Sequence, residues 1–189
     1  SRIEGEIGID MAASELWDGR RYEYKKEKRS LDANEQLSYI GELTDNFDIA
    51  YIEDPFDEED FDSFTRLNET LGHRLLVVGD DLVVTNPKRL QDAIGKHSIN
   101  GAIIKPNQIG TLTDARTAVN MARRSEIVPV ASHRSGETTE AHIAHLSVAF
   151  RCPIIKAGVV EGARTAILNE LIRIEETLKQ SAKMAALTL

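Results

Sequence analysis

Six short apolar runs, each closing on an acid, an amine or a histidine, recur along this chain, and their spacing restricts the fold more than any other feature. Residues 6–9 end at Asp10, 49–52 at Glu53, 75–79 at Asp80 and Asp81, 101–104 at Lys105, 127–131 at Ser132 and His133, and 153–155 at Lys156. The polar ends Asp10, Glu53, Asp80, Lys105, His133 and Lys156 lie 43, 27, 25, 28 and 23 residues apart, and one βα unit occupies roughly 25 to 45 residues. Each run is followed by a turn and then by helical spacing, the order that builds a parallel sheet. The expected fold class is therefore α/β, with six βα units. In such a sheet the C-terminal strand ends converge on one face, where sites form at a barrel mouth or at the switch point of an open sheet. A closed barrel takes eight strands, so the ring is either completed by other residues or open.

The intervening stretches read as helices. Asp32 with Glu35 forms a capping box before a stripe of Leu37, Ile40 and Leu43. An acid-rich helix follows over residues 59–71, and Asn86 with Pro87 opens the next. Thr113 is the expected cap of a helix that turns Ala115, Ala118, Val119 and Ala122 inward, and the last helix is expected from Glu161 or Thr165 to about Lys179. The charged stretch 18–29 reads as a surface excursion. One domain, 1–180, is expected, with 181–189 a docked or frayed tail, because a chain of 189 residues can bury one sizeable core.

Charge excludes one class of partner. Lys and Arg total 23 against 31 Asp and Glu, a formal charge of -8, which disfavours a general grip on nucleic acid and requires a local cationic site for any anion. No apolar stretch approaches the roughly 20 residues that span a bilayer, so no membrane role is expected. The single cysteine, Cys152, forms no internal disulfide, and with no leader-like segment in view a cytoplasmic setting is expected. Ser1 in place of an initiating methionine raises the expectation of upstream sequence. Unpaired sheet edges in an incomplete ring predict self-association, a homo-oligomer, or marginal stability.

The strand-end residues suggest a chemistry. Asp10, Glu53 and Asp80 form an all-oxygen set that suits Mg²⁺ better than calcium or zinc. Asp54, Asp57, Glu58, Glu59 and Asp60 read as a solvated, helix-capping cluster. Asp81 fits two roles equally, orienting a ligand or Lys105, or capping a helix. The run 102–104 desolvates the Lys105 amine, and nearby positive charge disfavours its ammonium form further, which suits a base. His133, Arg134 and Ser135, in the segment ending Gly136-Glu137-Thr138, bring a guanidinium, a hydroxyl and backbone amides before a helix, a combination that fits phosphate. His97, His142 and His145 receive no role.

Six segments also carry a family resemblance. Ile7-Gly8-Ile9-Asp10-Met11-Ala12-Ala13-Ser14-Glu15, Ile52-Glu53-Asp54-Pro55-Phe56, Val78-Gly79-Asp80-Asp81-Leu82-Val83-Val84-Thr85-Asn86, Ile104-Lys105-Pro106-Asn107-Gln108-Ile109-Gly110-Thr111, Ser132-His133-Arg134-Ser135-Gly136-Glu137-Thr138 and Ile155-Lys156-Ala157-Gly158 resemble successive enolase motifs, in enolase order. The resemblance, archaeal-like in character, runs from Glu6 to Leu178 and includes Leu171-Ile172-Arg173-Ile174-Glu175-Glu176, which is similar to the family's final barrel helix. It implies six of the eight βα units of an enolase-type barrel. It also implies a Mg²⁺-dependent lyase interconverting 2-phosphoglycerate and phosphoenolpyruvate, with Asp10, Glu53 and Asp80 on the metal and Lys105 removing the C2 proton. Lys156 would face the substrate carboxylate, Arg134 and Ser135 the phosphate, with His133 beside the substrate.

The pattern departs in places. Pro106 replaces a small aliphatic residue, the turn 159–164 is shorter than usual so that only Arg164 matches, and Ile167 stands where lysine is common. The family's N-terminal α+β domain and first two barrel strands, which carry the acid-catalytic glutamates and a mobile loop, have no counterpart in these residues, so the fragment alone is expected to be inactive. Two other readings are a naturally short interaction or metal-binding module without turnover, and proton abstraction from a different carboxylic acid.

Overall fold

A computed structural model describes residues 5–136 and 138–187. Glu137 of the phosphate-type segment and both extreme ends of the chain lie outside the described residues. The main sheet contains β1 (Ile7–Asp10), β4 (Ile49–Glu53), β5 (Leu76–Gly79), β6 (Gly101–Ile104), β7 (Val128–Ser132) and β8 (Ile154–Lys156), all parallel and in chain order. A small antiparallel hairpin, β2 (Tyr22–Tyr24) and β3 (Arg29–Leu31), precedes α1 (Ala33–Asn46). The sheet is then crossed by α2 (Phe61–Leu71), α3 (Pro87–Lys96), the one-turn α4 (Pro106–Ile109), α5 (Leu112–Arg124), α6 (His142–Ala149) and α7 (Gly162–Leu178).

β1 and β8 are the two edges of this sheet. Yet Lys156 Nζ on β8 lies 2.7 Å from Asp10 Oδ2 on β1. That contact is possible only because right-handed strand twist curls the six strands into a half-barrel whose edges approach each other at the C-terminal mouth.

Strand alternation divides the core. Ile52, Val77, Ala102 and Ile104 face the helices and pack with Ile40, Phe64, Leu67, Leu90, Ala118 and Ala122. The opposite, inner face carries Leu76, Val78, Ile103 and Val130, all essentially buried, flanked by Tyr51, Val128 and Ile154. Burying a side chain of this size contributes about 1.5 to 3 kcal/mol. Gly101 belongs to this layer for a steric reason: a Cβ there would lie 2.7 Å from Val78 Cγ2, so β5 and β6 could not keep this packing with a larger residue. A third cluster seats α6 and α7 on the end of the sheet through Ala131, Ile143, Ala144, Ala157 and Ile167. Ile167 is fully buried, so α7 docks through an apolar residue at this position.

The caps mostly match the sequence. Asp32 accepts from the amides of Asn34 and Glu35 while the Glu35 carboxylate accepts from the Asp32 amide, and Asn86 accepts from Lys88 N with Pro87 in the first turn. The stripe of α1 is centred on buried Ile40, with Leu37 and Leu43 half-buried. The cap of α5 is Thr111, not Thr113: Gly110 at φ 98° ends α4, Thr111 is extended, and its Oγ1 accepts from Asp114 N at 3.0 Å. The stretch 18–29 is not a simple surface excursion. Lys25, Lys26, Glu27 and Lys28 form the turn of the β2–β3 hairpin, and Glu23 and Arg29 lie in its strands, whereas Tyr22 is fully buried, 4.7 Å from the Trp17 ring and 6.3 Å from Phe56. Beyond a short 3-10 turn, Lys179–Ser181, Met184 is 96% exposed, so the tail does not dock there. Among the described residues no helix is long and apolar enough to cross a membrane.

Candidate active site

Successive side chains of a strand point to opposite faces, so residues two apart share one. Gly8 and Asp10, Tyr51 and Glu53, Val130 and Ser132, and Ile154 and Lys156 are such pairs on their strands. Asp80 and Lys105 continue β5 and β6 two residues beyond Val78 and Ile103. The charged rim thus stands one step above the inner apolar layer. Pairing register sets the rim laterally, with Asp10 opposite Glu53 and Ser132 opposite Lys156.

Two lysines hold the acids. Lys156 Nζ donates to Asp10 Oδ2 and to Glu53 Oε1, each at 2.7 Å. Lys105 Nζ donates to Asp80 Oδ2. Glu53 is completely buried, and burial pushes its pKa upward against the hydrogen bonds from Lys156 and Tyr51. For Lys156 burial acts downward, but the bonds to Asp10 and Glu53 outweigh it and the net shift is upward, which keeps it an ammonium ion. Tyr51 Oη donates to the other Glu53 oxygen, Oε2, at 2.5 Å. Burial and the adjacent Glu53 carboxylate push the phenol pKa up, so it retains its proton.

Asp54 corrects the sequence reading. The sequence places it in a solvated capping cluster, but it is 4% exposed and adopts a left-handed backbone, φ 42°. That turn sends its carboxylate inward, where Oδ1 accepts from Asp80 N at 2.9 Å and Oδ2 from Asp81 N at 2.8 Å. Burial pushes its pKa up to about 7 despite both amides. Its four companions behave as expected: Asp60 caps α2 by accepting from Ser63 N, Asp57 accepts from Glu59 N, and Glu58 and Glu59 are exposed. Asp81 caps no helix, since Asn86 caps α3.

A strained turn fixes Lys105. Val84 and Thr85, both β-branched, sit at φ 43° and 56°, a left-handed geometry that costs such residues about 1 to 2 kcal/mol each. The turn delivers the buried Thr85 hydroxyl to Lys105 N at 2.8 Å, just where β6 leaves its ladder. Pro106 then takes the first position of α4, where its missing N–H is not needed.

The region after β7 is more open. His133 is half-buried with Nδ1 2.8 Å from Arg134 O, while Arg134 and Ser135 are exposed. Arg134, Ser132, Gly136, Thr138 and Asn107 help line a cavity of ≈ 340 Å³ between α4 and α6. His145 Nε2 lies 3.0 Å from Glu170 Oε1 and His142 Nδ1 lies 3.5 Å from Glu140 Oε2, while His97 terminates α3 in a left-handed conformation.

Hard oxygen donors are concentrated here. Among the described residues, Asp54, Asp80 and Asp81 form a group whose ligand atoms lie within 4.8 Å of one another. Asp10 and Glu53 are instead joined through Lys156. Asp80 Oδ1 is buried and has no hydrogen-bond partner among the described residues, a costly condition that a bound cation would relieve. Tyr51 and Thr85 carry no sequence signal of a role here, and Asp54 reads from sequence as solvated. Tyr51 only stands two residues before Glu53, and Asp54 and Thr85 depend on left-handed turns that no local pattern announces.

A curled parallel sheet with carboxylates and amines around its C-terminal mouth defines a (βα)-barrel domain with a cation-competent, lysine-bearing site. Residues 2–188 match the family described as Enolase, C-terminal TIM barrel domain, and the chain belongs to that family. It is 52% identical over 173 residues to the enolase of Natronomonas pharaonis, covering 92% of this chain and 43% of the relative. It is 51% identical over 177 residues to the enolase of Methanocorpusculum labreanum, covering 92% and 44%. For the enolase of Methanothermobacter thermautotrophicus the identity is 46% over 181 residues, covering 95% and 44%. The chain thus spans less than half the length of these curated relatives.

Proposed function

We propose that this chain supplies the cation- and substrate-binding mouth of an enolase, acting on 2-phosphoglycerate and phosphoenolpyruvate with Mg²⁺ as cofactor. The observation that carries this reading is the pairing of two lysines with three carboxylates at neighbouring strand tips in a chain of this family. An all-oxygen donor set and Asp80 Oδ1, buried with no hydrogen-bond partner among the described residues, fit a hard divalent ion. Asp10, Glu53 and Asp80 would hold it. When bound, Mg²⁺ would stabilise negative charge developing on the substrate carboxylate and so acidify the neighbouring C–H.

The chain's own groups divide the remaining work. Lys105 Nζ, with its backbone fixed by Thr85, accepts the proton from the carbon beside the carboxylate. Lys156 Nζ presents a fixed positive charge to that carboxylate, where charge builds during proton removal. Arg134 and Ser135 bind the phosphate from the open side of the mouth, with His133 beside the substrate. The chain alone binds without turning over, the reaction being that of a protein of the relatives' length. Its expected setting is the cytoplasm, as a homo-oligomer and without nucleic acid.

Calorimetry with 2-phosphoglycerate, with and without Mg²⁺, tests the reading. Binding should require Mg²⁺ and should be lost in Arg134→Ala, with no enolpyruvate absorbance appearing. Binding that is indifferent to both Mg²⁺ and Arg134 would contradict it.

A further inference from the structure

We propose that Tyr51 is a positioning residue for Glu53, holding that carboxylate in the orientation in which it grips a divalent cation; this rests on the reading of Glu53 as a cation ligand. The phenol stands one layer below the acids, within the inner apolar cluster of Leu76, Val78, Ile103 and Val130. Its ring lies against Gly8 of the neighbouring strand, where an added Cβ would come within 3.4 Å of Tyr51 Cδ1. Packing therefore fixes the ring, and the fixed ring aims Oη at Glu53 Oε2.

Glu53 has two oxygens with two different tasks. Oε1 faces the mouth and meets Lys156 Nζ at 2.7 Å, while Oε2 faces down and meets Tyr51 Oη. With Oε2 tied, carboxylate rotation about its terminal bond is arrested and Oε1 stays in the plane of the rim. A phenol suits this task because it offers one donor and no positive charge, so it orients the carboxylate without competing for the cation as a lysine would. Groups that orient a metal ligand from behind typically change affinity by about 10- to 100-fold when removed.

The test uses the full 189-residue chain and Mn²⁺ as the probe, with affinity read from the loss of the free-ion electron paramagnetic resonance signal. Tyr51→Phe keeps the ring and its packing and deletes only the hydroxyl, and circular dichroism should overlay the parent's. It should weaken Mn²⁺ binding about tenfold. In a Glu53→Asp background the shortened carboxylate no longer meets the phenol, so adding Tyr51→Phe should change affinity less than twofold. An equal loss in both backgrounds would mean that the phenol acts on the fold generally, and would overturn the proposal. So would unchanged affinity in Tyr51→Phe. Absence of Mn²⁺ binding by the parent chain would defeat the cation reading itself, and this proposal with it.

Discussion

Two adjacent carboxylates, Glu53 and Asp54, show how neighbours decide what an acid does. Glu53 extends the strand and meets an ammonium and a phenol, whereas Asp54 turns left-handed and meets two backbone amides. The pKa of Asp54, about 7 in the folded chain against an ordinary 3.8, means that the folded state binds its proton more tightly across that interval. The resulting stabilisation is fully present below about pH 4 and is lost as pH rises to about 7. Replacing Asp54 by Asn removes the titration, so in urea unfolding with chelator present the parent's stability relative to Asp54→Asn should fall by about 2 to 4 kcal/mol between those limits. Parallel pH profiles for the two proteins would refute this. Burial likewise pushes the Cys152 thiol up to about 12. Iodoacetamide at pH 8 should therefore label the native chain far more slowly than the urea-unfolded one, and equal rates would show the thiol to be accessible.

At the scale of elements, the strained turn between β5 and α3 makes a prediction of its own. Thr85→Val keeps the β-branched shape but leaves Lys105 N–H without its partner, at a cost of about 1 to 3 kcal/mol in unfolding free energy, whereas Thr85→Ser should retain most of the parent's stability. All six main-sheet strands and the caps at Asp32 and Asn86 were legible, because each rests on a pattern closed within a few residues. Of the candidate site, the meeting of Lys156 with Asp10 and Glu53 and of Lys105 with Asp80 was legible, because the C-terminal strand ends of a parallel sheet share one mouth. What escaped depends on distant partners or unusual backbone. Tyr22 looked like part of a charged loop because its ring packs under Phe56, 34 residues away in sequence. Asp54 looked solvated because nothing local shows that φ 42° carries it inward.

For the whole molecule, curl and openness go together. Lys156 draws β8 toward β1 at the mouth, but both strands remain sheet edges with no further strand paired to them among the described residues. Ile7 on β1 is 46% exposed. Such edges offer backbone donors and acceptors to another chain, so sedimentation velocity of the isolated chain should show dimers or larger species, and a well-folded monomer at high concentration would contradict this. The most direct measurement is an anomalous-difference map from crystals of the chain grown with Mn²⁺. One strong peak shared by the carboxylates of Asp10, Glu53 and Asp80 is expected, with Lys156 Nζ moved off the two acids it now joins. A peak held instead by Asp54 and Asp81 beside Asp80, or no peak in a well-ordered mouth, would contradict it.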